Sequence, residues 1–542
     1  MKKYIIPILA FFMMSACDYE DMNKNFYGVT DDELGPLTYG APFMEMQQYV
    51  IPIGSPTLTT DPGNDLQNTD LISSGNYIGY FGNNNNWNFD NEANWNFVES
   101  RMKYAYQNFY SKLFRPWNAI YKNAKNSEEP FDQQVLAIAN IVKITGWLRA
   151  TDAFGPIVYT KAGDGDIAPT LDSQEVVYES MLADLSKAVT TLNKATDDIL
   201  GEYDAIYNGD VKKWVKFANS LMLRMAVRAH FQNQTLAQEY ITKALDSNNG
   251  GVIENKEDEA KIQNSVKMPL LNSMIASIDY LETRMGSTIW SYFKGYADPR
   301  IDIYFTKGTY NSSQDYYSVA PTNKIAKKTG TNTPEFAAKP KVEPNSPLYW
   351  LRASEVCFLK AEAALYGLCP GDARSFYEAG VTMSFSENGV SGANTYLAKT
   401  TLPSDMTSSI YKYSTYSCPL STQNTSPKWD HFNTASALSQ TEQQLQKIIT
   451  QKYLALYPNA VEAWTEYRRT GYPFLMKPFD TDAPSRIGAK TEDKVIAPER
   501  FRFAPSEYTL NPNMSQVPTL LGGDDIGATR LWWVRSDRPK QP

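Results

Sequence analysis

The chain has 542 residues, with 52 Lys plus Arg against 60 Asp plus Glu, a net charge of −8. Hydrophobic residues make up 42% and charged residues 21%, a globular composition rather than a disordered one. An acidic chain with no basic block is ill-suited to a phosphate backbone, which argues against nucleic acid as a partner. The only histidines are His230 and His431, so a multi-histidine metal site has almost no raw material.

At the N-terminus, Lys2 and Lys3 precede an apolar run from Ile5 to Met14. The run is shorter than the about 20 residues that span a bilayer. Ser15, Ala16 and Cys17 follow, an order that reads as a secretory signal over residues 1–16. A buried first helix is the competing reading. Met14-Ser15-Ala16-Cys17 resembles a bacterial lipobox, in which the cysteine is lipidated; Met14 departs from the usual Leu. Asp18, Glu20 and Asp21 then make residues 17–32 an acidic tether, similar to the surface-export signal of Bacteroidetes lipoproteins.

Residues 33–542 read as one large domain, because no linker with a sharp change in composition interrupts them. Thr57–Asn96 is rich in Asn, Gly and aromatics and reads as a long functional loop. Within it, Tyr77, Tyr80, Asn86, Trp87 and Trp95 form a candidate glycan platform. Flat rings stack on the C–H face of a sugar, and amides exchange hydrogen bonds with its hydroxyls. The same indoles would serve equally well as plugs of the core.

Helical periodicity follows in five segments, through Val135–Thr145, Tyr178–Leu192, Trp214–Met225, Val356–Tyr366 and Leu445–Leu456. In the last of these, Lys452 falls at the polar edge. Gly163-Asp164-Gly165-Asp166 superficially matches a dinucleotide loop, but Pro169 stands where a helix should run, so it reads as a surface turn. Gly522-Gly523-Asp524-Asp525 reads the same way. Calcium at these carboxylates is left open, because the rest of an EF-hand loop is missing. Tyr310–Pro347, Ser386–Asn433 and Asp480–Pro498 read as further long polar loops. Cys357 falls on the apolar side of a helix, and a Cys369–Cys418 pairing is an open alternative. No phosphate loop, nucleophile elbow, zinc signature or cofactor motif occurs.

The order of the remaining motifs carries a resemblance. Trp147-Leu148-Arg149, Phe154-Gly155-Pro156, Lys213-Trp214 through Ser220, and Arg352-Ala353-Ser354-Glu355 are followed by Glu462-Ala463-Trp464 and Arg468-Arg469-Thr470-Gly471-Tyr472-Pro473. Leu531-Trp532-Trp533 closes the pattern. The chain resembles the SusD/RagB family of outer-membrane lipoproteins from Bacteroidetes over nearly its whole length. The resemblance implies a mainly α fold, a superhelix of tetratricopeptide-type pairs with long loops and extra helices bearing the ligand face. It implies capture of oligosaccharides, or in some members peptides, and transfer to a SusC-like TonB-dependent transporter, with no chemistry on the ligand and no cofactor. A lipid-anchored glycoside hydrolase and a protein-only scaffold are the alternatives. Glu355, Arg468 and Arg469 read as buried ion-pair partners rather than ligand contacts.

Overall fold

A computed structural model of the chain describes residues 31–54, 63–82, 95, 99–266, 268–280, 282–310, 312–321, 336–408, 416–478 and 497–539. Cys17, Asn86 and Trp87 lie outside the described residues. The main helices, labelled in chain order, are α1 (Asp31–Val50), α2 (Lys112–Ala124), α3 (Pro130–Phe154), α4 (Gln174–Leu192), α5 (Val211–Ala229), α6 (Gln234–Leu245) and α7 (Ser287–Tyr296). The remainder are α8 (Ala353–Leu365), α9 (Ala373–Glu387), α10 (Gln440–Leu456) and α11 (Ala460–Thr470). The five helices expected from periodicity are present among them, as α3, α4, α5, α8 and α10.

Short polar residues punctuate these helices. Asp210, Asn233, Asp372, Ser439 and Asn459 each accept a backbone N–H three residues on, at 2.9–3.3 Å. Such a cap contributes about 1 kcal/mol and fixes where the helix starts. Pro130 opens α3, and Gly155, at φ 89°, closes it with its N–H on Thr151. The capped helices pack in sequential pairs, α3 with α4, α5 with α6, α8 with α9 and α10 with α11. Neighbouring pairs join through α4–α5, α5–α8 and α8–α10 contacts, and α11 returns to α3.

Their shared interior is charged. Arg224 of α5 grips Glu355 of α8 with two bonds of 2.7 Å. One turn on, Arg228 bonds Asp152 of α3 and Glu462 of α11. Arg469 of α11 holds both oxygens of Glu362 at 2.6 and 2.7 Å, and also Glu466 at 2.7 Å. Lys452 stands between Glu466 and Glu355 at 3.4 and 3.6 Å, only 1% exposed. It is therefore an interior counter-ion rather than the polar edge of α10. Arg468 also departs from the expected ion pair. It donates to the backbone carbonyls of Asp152 and Glu499 at 2.6 and 3.1 Å and lies 3.5 Å from the Trp464 ring centre.

Strands are few and short among the described residues. Phe81–Gly82 (β1) pairs antiparallel with Arg284–Met285 (β3), and Ala260–Ile262 (β2) pairs with Leu348–Leu351 (β4). Cys357, Cys369 and Cys418 are all free thiols, so the possible Cys369–Cys418 bridge is not formed. No described helix is long and apolar enough to cross a membrane.

Burial pushes Glu362 up, but Arg469 and His230, the latter 3.0 Å away, outweigh it and hold the carboxyl at about 2. A depressed carboxyl gives stability that is present above its unfolded value and lost as pH falls through the folded one. Denaturant midpoints should therefore fall on acidification from about pH 4.5 to about pH 2, and Glu362→Gln should flatten that slope. Arg469→Met should cost about 3–5 kcal/mol in urea unfolding, because it removes the nearest guanidinium from two buried carboxylates.

Candidate functional site

The stretch expected to form an exposed platform is a structural wedge. Residues Gly63–Leu66, the π-helical Gln67–Ser74 and Gly75–Tyr77 run as one helical segment against α11. Most of its polar groups are satisfied within the chain, Asn76 Oδ1 excepted. Thr69, Ser73 and Ser74 donate to carbonyls four residues back, at 2.7–3.3 Å, and Asp70 pairs with Arg149. Polarity here marks internal hydrogen bonding rather than exposure, which corrects the reading of Thr57–Asn96 as one long loop.

Tyr77 and Tyr80 are fully buried. The Tyr77 ring lies 5.7 Å from Trp464 and 6.3 Å from Phe501. Tyr80 stacks on Tyr453 at 4.6 Å and donates its hydroxyl to the Tyr453 carbonyl; Tyr453 returns a 3.1 Å bond to the Ile78 carbonyl. Burial above all holds the Tyr80 phenol well above its ordinary value. Both rings belong to the core, so neither presents a free face to a sugar. Trp95 is 1% exposed and takes a left-handed backbone, φ 63°. That conformation costs about 1–2 kcal/mol, less than burying an indole returns.

Tyr77 and Trp95 nevertheless meet at a small niche of about 10 Å³, room for about one water. Tyr80 does not line it. Its floor is set by a close knit of backbone. The Gly286 N–H donates to the Tyr80 carbonyl at 2.9 Å, and the Ile289 N–H to the Gly79 carbonyl at 3.2 Å. Gly79 has φ 68°, and a side-chain carbon there would fall 2.4 Å from Thr288 Oγ1. The Met476 N–H reaches the same Thr288 oxygen at 3.0 Å. Val319 and Pro321 form the opposite wall.

Asn76 supplies the polar element. Its Nδ2 donates to the Ile72 carbonyl at 2.8 Å, while its buried Oδ1 has no protein partner. Ser287 and Thr288 at the start of α7 complete the polar lining. Sequence reading passed over all three as site residues, since an Asn inside a helix and a Ser-Thr at a helix start are too common to signal. Three chain segments also leave from this rim. Gly82 and Pro321 are the last described residues before 83–94 and 322–335, and Met476 stands two residues before Pro478, the last before 479–496.

A larger open cleft, about 1160 Å³ including solvent, lies between the end of α4 and the start of α5. Asp197, Asp198 and Lys212 line it, but no aromatic ring does, so it offers nothing for a sugar to stack on. No group of three or more metal-ligating side chains occurs among the described residues. Asp164 and Asp166 are exposed on a surface turn, as their sequence indicates. Asp525 is engaged by Arg500, the Phe503 N–H and the Tyr508 hydroxyl.

The family profile described as SusD-like, the SusD and RagB outer-membrane lipoproteins, matches residues 21–534. The chain belongs to this SusD/RagB family. The solved structure of BT1043 is 66% identical, with a TM-score of 0.90, covering 94% of this chain and 100% of that one. A SusD homologue from Bacteroides vulgatus is 29% identical with a TM-score of 0.81, covering 94% and 100%. A chitin-binding SusD homologue from Flavobacterium johnsoniae is 30% identical with a TM-score of 0.80, covering 92% and 99%. No match is found among curated proteins. The mainly helical fold is that of SusD-like proteins, so the paired helices α3–α6 and α8–α11 are its tetratricopeptide-type superhelix.

Trp95→Ala should remove about 3–5 kcal/mol of folding stability, as truncation of a core indole does. Thermal unfolding measures this. An unchanged melting temperature would return Trp95 to the list of exposed ligand contacts.

Proposed function

We propose that this SusD/RagB protein captures oligosaccharides at the cell surface and delivers them to a TonB-dependent transporter barrel in the outer membrane. Membership of an outer-membrane lipoprotein family over residues 21–534 carries the reading. The chitin-binding homologue, sharing 30% identity and almost the full fold, supports a glycan as the ligand class. The protein holds its ligand without altering it. Cys17 is the lipidated residue, the chain faces the cell exterior, and the helical pairs offer the broad rigid face for the barrel.

The glycan site lies beside the small niche formed by Asn76, Trp95 and Thr288, which by itself admits about one water. Asn76 Oδ1, without a protein partner, is an acceptor there for one small hydrogen-bond donor. Trp87, with Asn86, remains the proposed stacking residue from the sequence.

Affinity electrophoresis against a panel of polysaccharides tests the ligand class. Retention on at least one glycan, with no new reducing ends on prolonged incubation, is expected. Release of reducing ends would make the protein a hydrolase, and absence of retention on every glycan would favour a protein-only scaffold. Trp87→Ala should weaken glycan binding at least about tenfold, or 1.4 kcal/mol, without moving the melting temperature. Cys17→Ala should release the protein from the membrane fraction on cell fractionation. Unchanged membrane retention and mobility would refute lipidation at that residue.

A further inference from the structure

A second buried charge cluster lies away from the niche, where the β2–β4 strand pair meets the α8–α9 helix pair. Glu259, the residue before β2, is 4% exposed, and the side chain of Glu387, at the end of α9, is fully buried. Both carboxylates converge on the first turn of α8. The Ala353 N–H donates to Glu259 Oε1 at 3.2 Å. The Ser354 N–H and hydroxyl donate to the two oxygens of Glu387, each at 2.7 Å. Arg352 stands between them, its Nε 3.5 Å from Glu259 and 3.3 Å from Glu387. Neither contact is a hydrogen bond, and the guanidinium packs 4.2 Å over the Tyr349 ring.

The charge count does not close. Among the described residues, two buried carboxylates face one guanidinium, and the other titratable groups facing them are Tyr349 from β4, Tyr304 from the Ile301–Tyr304 helix, Tyr207 from the α4–α5 connection and Cys357 from α8. Burial first holds each of those phenols and the thiol above its ordinary value, so all are uncharged near neutrality. Asp258, the next residue in the chain, is already paired with Lys216 at 2.6 Å. Two like charges sharing a dry site cannot both ionise cheaply, and a proton is the missing counter-charge.

We propose that Glu259 and Glu387 hold one proton between them at neutral pH and act as a proton-sensitive latch joining the β2–β4 strand pair to α8 and α9. The proton is lost to solvent on alkalinisation, leaving two adjacent carboxylates under one helix end. Burial first, and then the Glu387 charge, raise Glu259 to about 8, with Arg352 opposing. The sign follows from linkage. A carboxyl raised from 4.5 to about 8 binds its proton more tightly in the folded chain. Its stabilisation is complete below pH 4.5, declines as pH rises, and is gone above about pH 8.

Infrared spectroscopy of the full-length chain in heavy water at pH 7 tests the shared proton. The carbonyl band of a protonated carboxylic acid should be present and should vanish in both Glu259→Gln and Glu387→Gln, because either change lets the remaining carboxyl ionise beside Arg352. Denaturant titrations at successive pH values should show the wild-type folding equilibrium losing up to about tenfold more per pH unit than either variant between about pH 5 and pH 8. A band lost in only one variant, or wild-type and variant slopes that coincide, would overturn the latch. Should a variant fail to fold, carbon-13 glutamate resonances of the wild type decide the matter. One should titrate between about pH 7 and 9, and the absence of any such resonance would overturn it.

Discussion

Arg228 meets carboxylates from the first and last of the paired helices, Asp152 on α3 and Glu462 on α11. Around it, Arg224, Lys452 and Arg469 interleave with Glu355, Glu362 and Glu466, so each charge is fixed by another helix. Charges this deep are expensive to desolvate, and a well-packed apolar core would be as stable or more so. What they impose is register. An apolar stripe tolerates a slip of one helix along another, but a bidentate Arg–carboxylate pair does not. Asp152 also accepts the Tyr178 hydroxyl and the Trp533 indole N–H, which ties the C-terminal segment to the same point.

That arrangement separates two kinds of sequence information. Five of the helices were legible because apolar periodicity is local, as along α10. The charge network was only partly legible, since Arg228 and Glu466 are 238 residues apart and nothing local distinguishes their side chains from solvated ones. Lys452 shows the problem sharply. On a helical wheel it is a boundary residue, and only the carboxylates of α8 and α11 make it interior.

Tyr77 and Tyr80 depart from the expected platform for a related reason. Its rings and amides have a composition that suits a sugar, but composition does not say which way a ring faces. Tyr80 lost that choice to Tyr453, and Tyr77 to Trp464 and Phe501. Gly79 made the burial possible by bringing its backbone against Thr288 where no side chain would fit. The same packing left Asn76 Oδ1 without a protein partner beside the niche, a detail that emerges only once both the π-helical segment and α7 are in place.

The rim of that niche has an evolutionary and engineering consequence. Gly82, Val319 and Met476 are all buried; backbone bonds at β1–β3 and Ser287–Val319, and the Met476 N–H on the Thr288 hydroxyl, hold their positions. Each departing segment thus starts from a clamped stem. Doubling a segment's length costs only about 0.6 kcal/mol in closure entropy, small beside the stability of a folded domain. The stems and the charged helical frame can therefore stay unchanged while the number of residues between the stems varies among relatives. A chimera joining a relative's sequence to these stems is a rational way to vary the proposed binding preference without touching the frame.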